Sequence, residues 1–182
     1  EIRVDIENAF DTARALSYSI ANMKQTGNMA KREQILSMME GMLKKNEGYL
    51  GIWTVWEPNA VDGLDEEYKG APGSLENGRF LPYWNRVGGI HLERCGTGFL
   101  EGGEGGEWYN RPKRTGKEVI MEPFPYEVGG KEVLLVSVCV PIKVDGEVLG
   151  VSGVDFSMDQ IASLVSGIAP YKTGYGVLFA SN

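Results

Sequence analysis

The start of the chain repeats apolar residues at alternating steps of four and three positions, a pattern typical of one face of a long helix. Gly27-Asn28 interrupts this pattern, and helical spacing resumes from Ile35 to Leu43, with Gly48 as its expected end. The regular seam has two interpretations: it packs on the sheet of its own domain, or it pairs with the same helix of a second copy. Its members are Ile2, Ile6, Ala9, Ala13, Leu16, Ile20 and Met23.

Later segments have the aromatic, β-branched or continuously apolar composition of strands. Asp145-Gly146 separates the two longest of them and predicts a tight hairpin turn. Ser157 and Gln160 form a capping-box pattern for one more helix, which Gly167 would end. The predicted strands are residues 49–56, 79–86, 89–92, 132–143, 147–155 and 174–179.

Two stretches are predicted as loops. Residues 59–77 are rich in turn formers and acids, and because they lack the spacing of an EF-hand we expect a solvated acidic loop that includes Asp62 and Asp65. Residues 96–107 are rich in glycine, but no Lys-Ser/Thr follows, so a mobile connection or lid is expected rather than a phosphate loop. Hairpin strands that follow a long helix predict an α+β domain with an antiparallel sheet.

Composition removes some classes of function. The chain has 182 residues, enough for one domain with a real core, and a net charge of -7. Nucleic acid is therefore not an expected partner, since its phosphates require a basic face. The basic residues between 111 and 117 are expected in a solvated loop. No apolar run approaches the roughly 20 residues of a membrane span, and both ends of the chain suggest an excised part of something larger.

Catalytic chemistry has few candidates. His91 is the only histidine and no nucleophile-elbow signature is present, so a Ser-His-Asp or Cys-His arrangement is not expected. Cys95 and Cys139 give no zinc-ligand pattern with it and are expected as free thiols. We therefore predict no catalytic residue, no metal and no cofactor. One enzyme alternative is kept, a hydrolase that pairs the carboxylates of Glu122 and Asp155.

Binding chemistry is better supplied. Several aromatic residues offer ring faces that attract an organic cation, each by about 0.5–2 kcal/mol, and Asp155 would add a charge-assisted hydrogen bond. Gly153 shares strand parity with Asp155 and would leave space for a ligand beside the carboxylate. From the residues alone, this binding site and a purely structural core are equally open. The aromatic residues are Tyr83, Trp84, Trp108, Tyr109 and Tyr126.

A resemblance to a known family changes this balance. The stretches YLGIWTVWEPNAVDG, GRFLPYWNR, TGKEVIMEPFPY, GGKEVLLVSVCVPI and GEVLGVSGVDFS follow the long leading helix in order. The series resembles the membrane-distal module of double Cache (dCache_1) domains, the extracytoplasmic sensors of bacterial methyl-accepting chemotaxis proteins. The resemblance implies a PAS-like antiparallel sheet. It also implies three segments: a helical segment 1–47, the sensor module 48–170, and the first strand of a membrane-proximal module, 171–182.

The resemblance also assigns ligand contacts. Amino-acid-binding members carry a Tyr, then an Arg two residues before a Trp-Tyr pair, then a Tyr-x-Asp, then a late Asp. The present chain matches the pair, the second Tyr and the late Asp, but has Gly106 in place of the Arg and Val128 in place of the middle Asp. Two alternatives follow: Arg86 replaces the missing cation, or the ligand has no carboxylate. Small carboxylates stay possible through Arg79 or Arg86. The predicted ligand contacts are Tyr83, Trp84, Arg86, Trp108, Tyr109, Tyr126 and Asp155.

The expected function is the detection of a small polar metabolite, an amine, an amino-acid-like molecule or a small carboxylate, by a membrane-anchored receptor. A homodimer through the N-terminal helix is the expected assembly. A histidine kinase or a diguanylate cyclase is the alternative output. The alternatives of a different kind are the hydrolase and a module without a pocket that only dimerises.

Overall fold

A computed structural model of the chain describes the backbone of residues 2–100 and 106–166 and the side chains of residues 5–100 and 106–162. The predicted strand at 174–179, the expected helix end at Gly167 and the segment 171–182 lie outside this range. So do Gly102, Gly103 and Gly105 of the predicted loop at 96–107. Two short 3₁₀ helices occur within the described range, at Asp65–Tyr68 and Gly98–Leu100.

Four α-helices and seven β-strands are described. The helices are α1 (Ile2–Gln25), α2 (Arg32–Lys45), α3 (Glu107–Thr115) and α4 (Met158–Ser166). The strands are β1 (Gly51–Trp56), β2 (Pro82–Asn85), β3 (His91–Arg94), β4 (Val119–Ile120), β5 (Phe124–Val128), β6 (Lys131–Val144) and β7 (Glu147–Ser157).

All described strand pairs are antiparallel and form one sheet in the order β3-β2-β1-β7-β6-β4, with β5 also paired to β6. The β6–β7 hairpin forms its centre. It turns at Asp145 and Gly146, whose φ angles of 51° and 87° are those of the predicted tight turn. The capping box is also present, since the backbone N–H of Gln160 donates to Ser157 Oγ at 3.1 Å. The predicted α+β fold with an antiparallel sheet is confirmed.

The apolar seam of α1 packs on the sheet of its own domain. Ala9, Ala13, Leu16 and Ile20 are fully buried in a core that also contains the inward residues of β6 and β7. Two serines fix the register of the helix on the sheet: Ser17 Oγ lies 2.6 Å from Ser152 Oγ. The first interpretation of the seam is therefore correct, and this face of α1 is covered by the chain itself.

The sheet is buried on both faces, because successive side chains of a strand point to opposite sides. Ile52 and Val154 belong to the core under α1 and α2. Their neighbours Trp53 and Val151 belong to a second core, which lies under α3 and the segment around Phe99. The central strands consequently read as nearly continuous apolar runs, which made them easy to predict.

One predicted loop is a helix, and two strands were missed. The basic stretch after residue 110 is not a loop, because it continues α3 up to Gly116, whose left-handed φ of 62° ends the helix. The segment after it contains β4 and β5, which the sequence did not predict since two prolines and alternating exposure hide the strand signal of Phe124–Val128. Gly129-Gly130, both with positive φ, turn β5 back into β6.

The acidic loop is not simply solvated, because it contains the partners of a buried guanidinium group. Arg32 is 1% exposed. Its Nη2 donates to Asp62 Oδ1 at 2.7 Å and to Asp65 Oδ1 at 2.6 Å, and its Nη1 donates to the Gly78 carbonyl at 2.6 Å. The loop is thereby tied to the start of α2. Burial acts to raise the pKa of Asp62, but the bonds from Arg32 outweigh it, so this pKa is lowered.

We predict that Arg32→Ala lowers the free energy of unfolding by about 3–5 kcal/mol, because it leaves two carboxylates without their buried cation. Arg94→Ala is the matched control: its side chain is 45% exposed and pairs with the exposed Glu76, so it should cost at most about 1 kcal/mol. Urea unfolding at neutral pH measures both. Equal losses for the two variants would contradict a structural role specific to Arg32.

Candidate functional site

A small cavity lies on the α3 side of the sheet. Its volume is about 10 Å³, which is room for about one water molecule. Strands β1, β2, β5, β6 and β7 form its floor and sides, and α3 covers it. The lining residues are Trp53, Tyr83, Cys95, Trp108, Phe124, Tyr126, Leu135, Ser137 and Asp155.

The carboxylate of Asp155 is the charged group of this cavity. Asp155 is only 3% exposed. Trp53 Nε1 donates to its Oδ1 at 2.9 Å, and the Ser137 hydroxyl, on the paired position of β6, donates to the same oxygen at 2.6 Å. Burial raises the pKa of Asp155, and the hydrogen bonds from Ser137, Trp53 and Tyr83 offset only part of that effect. The bonds from Trp53 and Ser137 both end on Oδ1.

Glycines in the floor make room for aromatic rings of the protein itself. A Cβ at Gly153 would lie 2.2 Å from Trp53 Cζ2, and a Cβ at Gly51 would lie 2.4 Å from Tyr83 Cε2. The expectation that Gly153 leaves space for a ligand is therefore wrong, because the indole ring of Trp53 already fills that space. The same ring position brings the indole N–H to the carboxylate.

The rings around the carboxylate contact one another edge to face. Trp108 lies 5.0 Å from Trp53 and 6.1 Å from Tyr126, measured between ring centroids, with interplanar angles of 78° and 90°. Tyr83 meets Tyr126 at 6.4 Å. The Tyr126 hydroxyl accepts the N–H of Gly96 at 2.6 Å. Together the rings form an aromatic box whose floor contains one acidic group.

The structure brings four of the seven predicted ligand contacts together in this cavity: Tyr83, Trp108, Tyr126 and Asp155. Three predicted contacts lie elsewhere. Trp84 follows Tyr83 on β2 and therefore points to the opposite face of the sheet, where it packs against the α1 core.

Arg86 also lies outside the cavity. Its guanidinium group donates to the carbonyl oxygens of Leu43, Asn46 and Tyr49, at 2.7, 3.0 and 2.6 Å. These carbonyls belong to the end of α2 and the entry to β1, so Arg86 satisfies backbone groups that a helix end leaves open. It does not take the place of the missing carboxylate-binding Arg.

Tyr109 belongs to a polar cluster beside the cavity. Its hydroxyl donates to Glu57, and Arg79 Nη2 lies 3.2 Å from that hydroxyl and 3.3 Å from Glu57 Oε1. Lys113, one turn further along α3, contacts Glu57 Oε2 at 2.7 Å. Burial acts to raise the pKa of Glu57, but the bonds from Lys113 and Tyr109 outweigh it, so this pKa is lowered. The cluster holds α3, and with it Trp108, on the sheet.

Position 106 cannot hold the Arg that the family pattern places there. A Cβ at Gly106 would lie 2.6 Å from Phe99 Cα and 2.9 Å from Asn110 Nδ2. Val128, at the position of the middle Asp, is fully buried in the second core. The cavity lining within the described residues therefore contains one acid and no Arg or Lys.

Sequence reasoning missed five lining residues: Trp53, Cys95, Phe124, Leu135 and Ser137. Their assignment depends on strand register. Gly153 faces Trp53 and Ser137 faces Asp155 across neighbouring strands, and neither pairing is visible in the sequence. A glycine beside an acid on a buried strand was the one available signal, and it indicated a large partner ring rather than a ligand.

The residues considered for catalysis do not converge. Glu122 is exposed and does not line the cavity that contains Asp155. The His91 side chain is 39% exposed and contacts Glu93 at 3.0 Å on the edge strand β3. Cys95 and Cys139 are free and buried, and burial raises the pKa of both thiols. The described part of the chain contains no group of three or more His, Cys, Asp or Glu that could hold a metal ion.

Comparisons with known proteins agree with this geometry. The model of a family described as "Methyl-accepting chemotaxis protein-like, first PDC sensor domain" matches residues 35–163. Methyl-accepting chemotaxis protein TlpQ of Pseudomonas aeruginosa PAO1 is 32% identical over 144 residues, which are 73% of this chain and 20% of that protein.

Solved structures extend the similarity to the whole fold. The extracellular domain mmHK1S-Z3, assigned to a histidine kinase, has 32% identity and a TM-score of 0.81, and covers 94% of this chain and 59% of its own. Methyl-accepting Chemotaxis protein X has 26% identity and a TM-score of 0.78, with 93% and 62% covered. The chain thus spans a fifth of the receptor and about three fifths of these structures. None of the described helices is long and apolar enough to cross a bilayer.

We predict that Glu57→Gln loosens α3 without unfolding the sheet. The change removes the charge that holds Tyr109 and Lys113, so amide hydrogen exchange in residues 108–115 should become about tenfold faster, while β6 and β7 stay protected. Glu118→Gln is the control, because Glu118 pairs with Arg14 of α1 at 2.6 Å and does not contact the cluster. Unchanged exchange in α3 of the Glu57 variant would contradict the role of the cluster.

Proposed function

Since the chain belongs to the family of first PDC sensor domains of methyl-accepting chemotaxis protein-like receptors, we propose that it is the extracytoplasmic ligand-binding domain of a transmembrane chemoreceptor. Within that receptor it would be the membrane-distal module of a double Cache (dCache_1) sensor. We retain the division into 1–47, 48–170 and 171–182 as part of this proposal.

The ligand is a small organic cation, an amine or the ammonium group of an amino-acid-like molecule. One observation carries this proposal: the buried Asp155 carboxylate lies in an aromatic box and forms no ion pair within the described residues. Aromatic faces attract a cation, and a carboxylate accepts its N–H groups. An ammonium ligand would therefore supply the positive charge that no described residue provides for Asp155.

A small carboxylate is a weaker candidate. The residues that would bind it are engaged elsewhere, since Arg86 holds the end of α2 and Arg79 donates to the Trp56 carbonyl at 2.6 Å. A carboxylate beside Asp155 would instead face a like charge in a site of low dielectric. An amino-acid-like ligand would have to place its carboxylate away from Asp155.

Binding requires movement of the aromatic box, because a cavity of about 10 Å³ is too small for an alkylamine. Trp108 lies on α3, which is held by side chains and loop contacts rather than by the sheet ladder. Ligand entry would displace this helix and the rings it carries. Trp53 and Trp108 both line the cavity, so intrinsic tryptophan fluorescence reports binding directly.

Signal transfer would use β7. Asp155 faces the cavity, while Ser152 on the opposite face contacts α1: its Oγ lies 2.6 Å from Ser17 Oγ and donates to the Ala13 carbonyl at 3.0 Å. A ligand that prefers one arrangement of β7 would shift α1 between two positions on the sheet.

We also propose the homodimer through the N-terminal helix, using its outer face, where Tyr18 is 62% exposed. A histidine kinase or a diguanylate cyclase stays the alternative output. The histidine-kinase domain mmHK1S-Z3 is the structure similar to this chain that supports the kinase alternative.

We predict that Asp155→Asn weakens binding of an ammonium ligand at least about 30-fold while leaving the protein as stable as the wild type, or more stable, at neutral pH. Asn keeps the acceptor for Trp53 and Ser137, and it removes a desolvated charge. Calorimetry against primary alkylamines, amino acids and short carboxylates gives the affinity, and thermal unfolding gives the stability.

Glu127→Gln is the matched control for this experiment, since it makes the same change of net charge at an exposed position next to Tyr126. It should alter neither affinity nor stability. Binding of carboxylates alone, or amine binding that is unchanged by Asp155→Asn, would refute the proposal of a cation site.

The raised pKa of Asp155 also predicts a pH dependence. An ammonium ligand binds the ionised carboxylate, so its affinity should fall on acidification at a pH above the usual Asp value of about 3.9. For folding the sign is opposite: a raised folded-state pKa contributes stability at low pH that is lost as pH rises through it. The stability advantage of Asp155→Asn should therefore shrink as pH falls. An advantage that grows on acidification would contradict this assignment.

A further inference from the structure

His91, which the proposed cation site does not use, is held by two oxygen acceptors at once. The residue begins the edge strand β3 and is partly exposed. Its Nδ1 lies 2.8 Å from the carbonyl oxygen of Gly89, and its Nε2 lies 3.0 Å from Oε1 of Glu93. Neither a carbonyl nor an ionised carboxylate can donate a hydrogen, so both hydrogens must come from the ring.

This geometry fits one protonation state of the ring. A neutral imidazole has a single N–H, so one of its nitrogens would direct a lone pair at an oxygen, whereas the imidazolium ion donates from both nitrogens. The bonds with Gly89 and Glu93 raise the pKa of His91, and burial offsets only part of that effect. Among the described residues Glu93 is the one charged group in contact with the ring, and the residue paired with His91 on β2 is the neutral Asn85.

A glycine presents the carbonyl to the ring. Gly89 has a φ of 122°, which residues with a side chain rarely adopt, and its N–H donates to the Arg86 carbonyl at 3.3 Å. The shape of the turn between β2 and β3, residues 86–90, and the protonation of His91 are therefore linked. When the ring loses one proton, one of its two oxygen contacts becomes repulsive, and the turn or the carboxylate has to move away.

Glu93 connects the ring to a second turn. Its Oε2 accepts the N–H of Gly129, in the turn between β5 and β6, at 3.2 Å and the side-chain amide of the buried Asn85 at 3.0 Å. The two turns also pack against each other, since a Cβ at Gly129 would lie 3.3 Å from Val87 Cγ1. Tyr126, three residues before Gly129 on β5, lines the cavity. The contact between the turns therefore supports the strand that forms this wall of the cavity.

We infer that His91 is a proton-binding site whose imidazolium form holds the β2–β3 turn against the β5–β6 turn and which releases this contact when the proton is lost. The site needs no ligand and no charge on Asp155, so it is independent of the proposed cation site. In an extracytoplasmic domain it would link the β5 wall of the cavity to the pH of the surroundings. A raised folded-state pKa contributes stability that is fully present below the pKa of the unfolded chain, about 6.5, and is lost as pH rises through the folded-state value.

Proton NMR measures the titration directly, because the chain has a single histidine and its ring Hε1 resonance is unambiguous. The pKa of His91 in the folded wild type should be above that of the urea-unfolded chain in the same buffer. Glu93→Gln should lower it to the unfolded value or below, since a Gln amide can donate to Nε2 of a neutral ring. Glu147→Gln is the matched control: it makes the same charge change at an exposed position at the other end of the β6–β7 hairpin and should leave the pKa unchanged.

Amide hydrogen exchange measures the contact between the turns. Protection factors, corrected for the intrinsic effect of pH on exchange, should fall at least about threefold in residues 86–90 and 129–130 as the pH is raised through the His91 midpoint. In Glu93→Gln they should not change at that midpoint. His91→Gln cannot titrate and should show no change either, so it serves as the second variant if Glu93→Gln does not fold.

A folded-state pKa of His91 no higher than that of the unfolded chain would overturn the proton-binding site. A raised pKa without a change in protection would show that the proton does not control the contact between the turns, and would refute the inference as well. The same change in the wild type and in His91→Gln would assign the effect to another group. Amine binding at fixed pH tests the cation site alone, and its absence would leave the role of His91 standing.

Discussion

The burial of one carboxylate in the middle of a sheet is the constraint on which the site depends. Asp155 lies on the central strand β7 and is covered by rings, so its charge must be stabilised by the few polar groups that reach it. Trp53 and Ser137 supply two hydrogen bonds to a single oxygen. This is incomplete compensation for a desolvated charge, which is why its pKa is raised. The proposed cationic ligand would supply the counter-ion that this site lacks among the described residues.

The two-sided sheet offers a route by which the proposed site would communicate with the rest of the domain. Alternation along β7 places Asp155 and Gly153 towards the cavity, and Ser152 and Val154 towards α1. The contact of Ser152 with Ser17 is a polar pair in an otherwise apolar interface between this helix and strand. Small apolar residues on α1 bring its backbone close to the sheet, so a change of β7 reaches the helix without passing through a mobile loop.

Much of the fold could be predicted from the sequence, because the central hairpin and α1 have strong local signals. Asp145-Gly146 specifies its turn and the seam of α1 specifies its buried face. The acidic loop was harder, since nothing local to Asp62 and Asp65 shows that Arg32, about 30 residues away in sequence, lies between them. Similarly, helix α3 is short and basic, and its stability comes from contacts with Glu57 that only the folded chain provides.

The site itself could be predicted only in part, because aromatic composition does not reveal which face of a strand a ring occupies. Tyr83 and Trp84 are neighbours in sequence and lie on opposite sides of the sheet. The glycines illustrate the same limit: Gly51 and Gly153 suggest open space, yet rings from adjacent strands fill it. Space for a ligand must therefore come from displaced rings. Of the rings that line the cavity, Trp108 is carried by α3, which side chains such as Glu57 hold on the sheet without ladder hydrogen bonds, so we expect the proposed opening to displace this helix rather than a strand.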